Sequence, residues 1–584
     1  LDFARDFHYT KVPGAAAQVA QIGTIYTVTR NTSFASFRGS NGLLQYANEN
    51  RVVESQTMDS ASWIKQQVTI SANATVAPDG TLTADAMVED GTTNFHDLNQ
   101  SRMVAGRVMT ASFFAKAAGR SRVRYQGGNG ANFDAYFNLT TGAVYNVAAG
   151  CSASMENWGN GWWRCILTGL VNANGNVLIL AADNSDAVSY PGSGAAALYI
   201  WGVQAQLGMN AGAYLVTTGS AKYDQTRPHF DLNKSRRRLK LEGLRDNLCL
   251  QSEDFTTTWT AGAVTVTDNA VSSPEGYANA DKVAEDNANA NHRVTQTFTK
   301  AASALGYTFS CWVKAAERSW CCIQLDDGVN GKRQYLNLAT GALGTLQDVG
   351  GTPFTAASAS VEDWGGGWYR LIITATSSTS VTLNAVVQVA TGDLVASYAG
   401  TTGSGIYAWG AQLEQASFAS SYIPTTASFE RRNGDTLIRT LGSEYSQTAG
   451  TVRVVFDMIG TSPIGGSLVA FDDGTSGNCM RATDNTASLI NWNVRVGAVD
   501  QAAISRNFPA IGARGKYAAA WATNDFAAYM DAAAGTPDAA GTLPTVTRST
   551  IGLDPFGGNI YAHIESVDYW PERKLDGLLL TWTR

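Results

Sequence analysis

An offset of 196 residues lays this sequence on itself. It carries Trp63, Pro78, Gly80 and Asp85 to Trp259, Pro274, Gly276 and Asp281. It also carries Phe34 to Phe230, Leu43 to Leu239, His96 to His292 and Gln100 to Gln296. Small insertions then widen the offset. Lys116 meets Lys314, the turn NLTTG at Asn138 meets NLATG at Asn337, and ENWGNGWWR from Glu156 meets EDWGGGWYR from Glu362. YIWGVQ at Tyr199 meets YAWGAQ at Tyr407, and Tyr214 meets Tyr422. Ordered matches with short gaps define two copies of one module, at residues 51–225 and 247–430. Residues 1–50 form an N-terminal segment with a lead-in hairpin, residues 226–246 a second lead-in hairpin or linker, and residues 431–584 a different domain. The period is far too long for a solenoid, so the copies are tandem domains.

Within a copy the pattern has period two. Tyr307, Phe309, Cys311 and Val313 alternate with Thr308, Ser310, Trp312 and Lys314; Met109, Ala111, Phe113 and Ala115 alternate with Thr110, Ser112, Phe114 and Lys116. Such alternation marks strands with one face in a core. In the last segment Val452, Val454, Phe456 and Met458 alternate in the same way, as do Tyr517, Ala519 and Trp521. A short polar helix or turn is expected to close the chain. The predicted class is all-β: tandem β-sandwich, jelly-roll-like modules followed by one more sandwich. Only 16% of residues are charged, which excludes a coiled coil.

A net charge of −7 argues against general nucleic-acid binding, which rests on Lys and Arg meeting phosphate. No apolar run of membrane-spanning length occurs, so membrane insertion is not expected. No secretory leader is expected from the first residues. The seven cysteines, Cys151, Cys165, Cys249, Cys311, Cys321, Cys322 and Cys479, contain no C-x-x-C pair. They read as small buried hydrophobes in a chain assembled in a reducing cytoplasm, not as zinc ligands.

Three stretches resemble a family of tailed-bacteriophage head-fibre, head-spike and tail-fibre proteins. They are the lead-in RPHFDLNKSRRRLKLEGLRDNLCLQSEDF from Arg227, the module motifs ending in NGWWR/GGWYR and WGAQLE, and SSYIPTT at Ser420. The first copy departs from the pattern, with ENRVVESQTM from Glu49 in place of the Arg-x-Asn-Leu-Leu and Ser-Glu-Asp-Phe passage. The resemblance implies carbohydrate-binding-like modules, a C-terminal laminin-G or concanavalin-like sandwich, and a structural virion appendage assembled in the host cytoplasm. It implies host-surface glycans and other virion proteins as partners and a homo-oligomer, a trimer above all. The competing reading is a secreted glycan-binding accessory of a polysaccharide-degrading system.

No enzymatic activity is expected. Glu156 stands where the second copy has Glu362, with Asp363 beside it. Neighbours on a strand point to opposite faces, whereas glycoside hydrolysis needs two carboxylates across one bond. Gly127-Gly128-Asn129-Gly130 lacks the helix and Lys of a phosphate loop. His96 and His292 are candidate sugar or ion ligands or hydrogen-bonded strand residues. Phe114 and Trp312 lie on the polar side of their strands and are expected to be exposed, to stack on a sugar or pack on a neighbouring domain. Trp201 and Trp409 read as core. The basic run Lys234, Arg236, Arg237, Arg238 and Lys240 reads as solvated or paired with nearby acids. Asp472 and Asp473 are weak candidates for calcium; a turn is the alternative, since such an ion needs six to eight oxygens. No other cofactor is expected.

Overall fold

Val, Thr, Ile and aromatic residues at period two give strands, and Gly, Asn and Asp clusters give the turns between them. In the strand Gly306–Ala315, Tyr307, Phe309, Cys311 and Val313 face a core shared with Leu371, Ile373, Leu383 and Ala385. The computed structural model describes residues 7–10, 18–21, 27–29, 34–39, 41–128, 130–223, 228–231, 236–351, 354–461, 465–485, 489–507 and 510–584. Arg227, Lys234 and Asn129 of the readings above lie outside them, as do the side chains of Arg236 and Arg237.

Each copy is a pair of six-stranded antiparallel sheets. In the first copy one sheet runs in the order Ala143–Tyr145, Gly130–Asn138, Arg122–Gly128, Gly175–Ala182, Asp97–Met103, Ile64–Gln66. The other runs Ser152–Gly159, Trp162–Val171, Arg107–Ala117, Ala196–Leu207, Ala84–Glu89, Val68–Thr75. The second copy repeats both orders. Its sheets run Ala342–Val349, Gly331–Asn337, Trp320–Asp326, Thr382–Ala390, Arg293–Thr299, Thr260–Gly262, and Thr355–Gly365, Trp368–Thr376, Gly306–Ala315, Gly405–Glu414, Ala278–Glu285, Val264–Ser272.

The first copy keeps the entry geometry of the second despite its divergent ENRVVES passage. The Asn50 amide donates to Val203 O and Leu215 O (both 2.9 Å); the Asn247 amide donates to Ala411 O (3.1 Å) and Ile423 O (2.8 Å). Asp85 accepts from Met58 N and Asn73 N, as Asp281 accepts from Phe255 N and Asn269 N.

The C-terminal sandwich draws strands from outside residues 431–584. Its first seven-stranded sheet contains Pro228–Asp231 and Arg236–Leu241 beside Tyr561–Trp570; its second contains Thr27–Thr29 beside Thr436–Thr440. The lead-in at 226–246 is therefore more than a linker: Leu239 pairs with Ile564 and Leu241 with Ala562, and both leucines join the sandwich core. The basic run is partly consumed there, with Arg238 ion-paired to Asp457 and both buried. The closing segment Asp576–Thr583 is a helix, and it is apolar where a polar one was expected, with Leu579 buried against Ala518 and Ala520. Among the described residues no helix is long and apolar enough to cross a membrane.

Contacts divide the chain into two compact units, residues 45–224 with 275–277, and residues 1–44, 225–274 and 278–584.

Candidate functional site

Phe114 and Trp312 are buried, contrary to the expectation of exposure. Each points away from the space between the sheets, as the alternation requires, but its own module's C-terminal tail folds back over that outer face. Trp312 packs edge-on against Trp364, Trp409 and Tyr422 at centroid distances of 5.3–5.5 Å, and Phe114 packs against Trp158, Trp201 and Tyr214. Trp201 and Trp409 are buried in this outer cluster rather than between the sheets. Gly202 and Gly410, at φ +63° and +67°, bulge the strand and swing each tryptophan outward. Arg164 and Arg370 seal the cluster: the Arg370 guanidinium lies 4.5 Å from the Trp312 ring and donates to Ser420 O at 2.8 Å.

His96 and His292 are fully buried. His292 packs tilted against Tyr398 at 4.8 Å, and its Nδ1 donates to Ala263 O at 2.8 Å. His96 lies tilted against Tyr190 at the same distance, its Nε2 is 3.4 Å from Asp90 Oδ1, and neither ring nitrogen makes a hydrogen bond among the described residues. Those tyrosines donate to Glu285 and Glu89, which also bind Arg318 and Arg120. Burial pushes the Glu285 carboxyl up, but the bonds from Arg318, Tyr398 and Thr401 N outweigh it and leave it below its usual range.

The other candidate acids are held by local hydrogen bonds, Glu156, Glu362 and Asp363 near strand ends and Asp472 and Asp473 at a turn. Glu362 accepts from Trp364 Nε1 at 3.0 Å and Glu156 from Trp158 Nε1 at 3.3 Å, while Asp363 accepts from Gly365 N. Asp472 is buried on Arg548 and Gly474 N; Asp473 binds Thr475 and Asn478. Gly127, Gly128 and Gly130 form a hairpin tip. A carboxylate group the sequence reading missed joins Asp254, Asp268 and Asp281, whose oxygens lie within 4.8 Å of one another. Asp281 and Asp254 accept backbone N–H groups there, and Asp268 accepts from the Asn269 amide.

The open feature is the outward face of one sheet in the second copy. Register places Thr295, Val386, Gln324 and Arg333 opposite one another across four strands. A parallel row holds Thr297, Asn384 and Asp326. Over them lies a cavity of about 180 Å³, bordered also by Asn291, Arg293, Val329 and Val349. Its polar floor is fixed: Asn384 Nδ2 donates to Asp326 Oδ1 (2.6 Å), Gln324 Nε2 to Asp326 Oδ2 (2.5 Å), and Arg333 Nε to Gln324 Oε1 (2.6 Å). The Val329 side chain stands exposed at the rim. Fixed amides and guanidinium groups beside an apolar rim can bind a hydroxyl-rich ring, with hydrogen bonds at its edge and van der Waals contact at its face. Alternation alone could have flagged Arg293, Gln324 and Asn384 as outward polar residues, but not that three strands bring them together.

In the first copy the same face is self-paired. Arg124 Nε donates to Asp134 at 2.9 Å, Arg122 pairs with Asp186, Tyr145 donates to Asp186 at 2.6 Å, and Tyr136 packs on Tyr145.

Fold and site together define an all-β chain of tandem sandwich modules with a polar cavity on one module face. No family model and no curated protein sequence matches it. Solved structures similar to it include the CBM40 of a Ruminococcus gnavus IT-sialidase, 12% identical, covering 24% of this chain and 84% of that one, with a TM-score of 0.21. The tandem CBM22-1-CBM22-2 domain of Paenibacillus barcinonensis Xyn10C is 11% identical over 63% of this chain and 98% of that one, with a TM-score of 0.18. Mouse laminin α1 domains LG4-5 are 8% identical over 57% and 94%, with a TM-score of 0.19. At such TM-scores the sandwich assignment rests on the strand order and register above.

Proposed function

We infer that this chain is a glycan-binding structural component of a bacteriophage virion appendage, a fibre or spike of head or tail, and that it is not an enzyme. The cavity over Gln324, Asp326 and Asn384 carries the binding half of this reading, because it offers fixed, convergent polar groups on an open sheet face. The phage half is supported by the resemblance of the lead-in and module motifs. The non-catalytic half is supported by the local contacts of Glu156, Glu362 and Asp363 with Trp158, Trp364 and Gly365.

The test is a glycan-array screen of the full chain, followed by titration of the best ligand. Gln324→Ala and Asn384→Ala should each weaken binding about tenfold. Absence of any glycan binding at millimolar concentration overturns the binding half. Release of reducing sugar by the wild-type chain overturns the non-catalytic half. The appendage reading expects the protein in stoichiometric copies in purified particles and a trimer by sedimentation. Its presence only in a culture supernatant favours a secreted accessory instead.

A further inference from the structure

We propose that the cavity of the second copy selects an anionic saccharide, one bearing a carboxylate or sulfate. This rests on the glycan reading above and adds the charge of the ligand. Two arginines border the cavity, Arg293 and Arg333. Arg293 meets no hydrogen-bond acceptor and no carboxylate among the described residues. Arg333 spends Nε on Gln324 and Nη1 on the Tyr335 hydroxyl (3.3 Å), both neutral, and pairs with no acid among the described residues. The one acid bordering the cavity, Asp326, lies buried beneath them. Its oxygens are occupied by Gly328 N, the Asn384 amide and the Gln324 amide.

The two copies of the module sharpen the contrast. Arg293 stands where the first copy has Asp97, and Arg333 where it has Asp134. Two acidic positions of that face are thus arginines in the second copy. The arginines of the first copy's face, Arg122 and Arg124, are neutralised by Asp186 and Asp134. A partly buried guanidinium without a counter-ion carries an uncompensated desolvation cost, which an anionic ligand removes on binding. An acidic sugar would place its charged group between the two guanidiniums. Its hydroxyls would meet the Thr295, Asn291 and Asn384 side chains, and a ring face would meet Val329.

The experiment titrates the full chain with galacturonic-acid oligomers, the same oligomers after reduction of the carboxyl to alcohol, a sulfated oligosaccharide, and inorganic sulfate. The acidic or the sulfated sugar should bind at least about tenfold tighter than the reduced oligomer, and Arg293→Gln and Arg333→Gln should each erase that preference. The Arg293 guanidinium makes no hydrogen bond or ion pair among the described residues, so Arg293→Gln should leave the module folded, checked by an unchanged unfolding midpoint. Arg431→Gln, a surface change of equal charge, should leave the preference intact. Equal binding of acidic, sulfated and neutral sugars, or an unchanged preference in Arg293→Gln, overturns the proposal while leaving the glycan reading standing. Binding of inorganic sulfate as tight as any sugar also overturns it, as an anion site without sugar recognition. No binding of any sugar by the wild-type chain removes both.

Discussion

Trp312 shows how much one side chain carries here. It is enclosed by Trp364, Trp409 and Tyr422 and capped by Arg370, so truncating it opens a large cavity in a packed cluster. Trp312→Ala should cost about 3–5 kcal/mol of stability, read as a lowered denaturant midpoint. Trp312→Phe should cost less, since the first copy builds the same cluster around Phe114. Asp281 carries a pH dependence. Burial first, then the charges of Asp268 and Asp254, push its carboxyl up to about 8 against the bonds from Phe255 N and Asn269 N. The unfolded group titrates near ~3.9. Between these values the folded state keeps a proton that the unfolded state has released, so stability falls as pH rises through that window and levels off above it. Glu285, held below its usual range, contributes with the opposite sign, and that contribution is complete above pH ~5. Denaturation series from pH ~5 to ~8 should therefore show declining stability, with a shallower slope in Asp268→Asn. A flat profile identical in wild type and variant would contradict this.

At the scale of elements, alternation made strands such as Gly306–Ala315 and Ala449–Gly460 legible, because one buried face writes itself into the sequence at period two. It could not tell that the other face of Gly306–Ala315 is also covered. The cover is the tail around Tyr422, more than 100 residues downstream, and no local pattern encodes it. The bulge that makes room for it was visible only as the WG pair of YIWGVQ and YAWGAQ. A Cβ on Gly410 would come within 2.8 Å of the Trp312 ring at a φ that L residues avoid. Gly410→Ala should lower stability by about 1–3 kcal/mol and can be checked in the same unfolding assay. The lead-in strand Arg236–Leu241 was illegible as a sheet member for the same reason, since its partner Tyr561–Trp570 lies over 300 residues away. Its buried Arg238–Asp457 pair, with His563 Nδ1 also 2.9 Å from Asp457, makes that docking specific. Arg238→Ala, which leaves the buried Asp457 carboxylate with His563 but without its guanidinium partner, should cost about 3–5 kcal/mol, and Arg238→Met with Asp457→Leu less.

On the scale of the molecule, the repeat made two modules visible, but it does not mark which parts unfold together. The second copy and the C-terminal sandwich have separate cores joined by a seam of buried polar and ring contacts. Glu242 and Arg432, both fully buried, pair at 3.0 Å, and Ser421 N donates to Glu242 at 2.9 Å. The Arg245 guanidinium lies 4.7 Å from the Phe418 ring and 4.4 Å from the Tyr561 ring, and those two rings meet edge to face at 5.0 Å. The N-terminal segment is tied to the same unit: Ser36 Oγ donates to Tyr422 O and Arg38 Nη1 to Asp363 O, both at 2.7 Å, with Arg38 over Trp364. Residues 45–224 keep their own core and their own Asn50 and Asp85 entry bonds. Scanning calorimetry of the full chain should accordingly show two transitions, one for residues 45–224 and one spanning the second copy with the C-terminal sandwich. Deleting residues 433–584 removes Tyr561 from Arg245 and the sheet from Leu239 and Leu241, and leaves the Glu242–Arg432 pair open to water. The second copy's transition should then move to lower temperature, while that of residues 45–224 stays where it was. Three separate transitions in the full chain, with the second copy's unmoved by the deletion, would show that these buried contacts do not couple the two sandwiches.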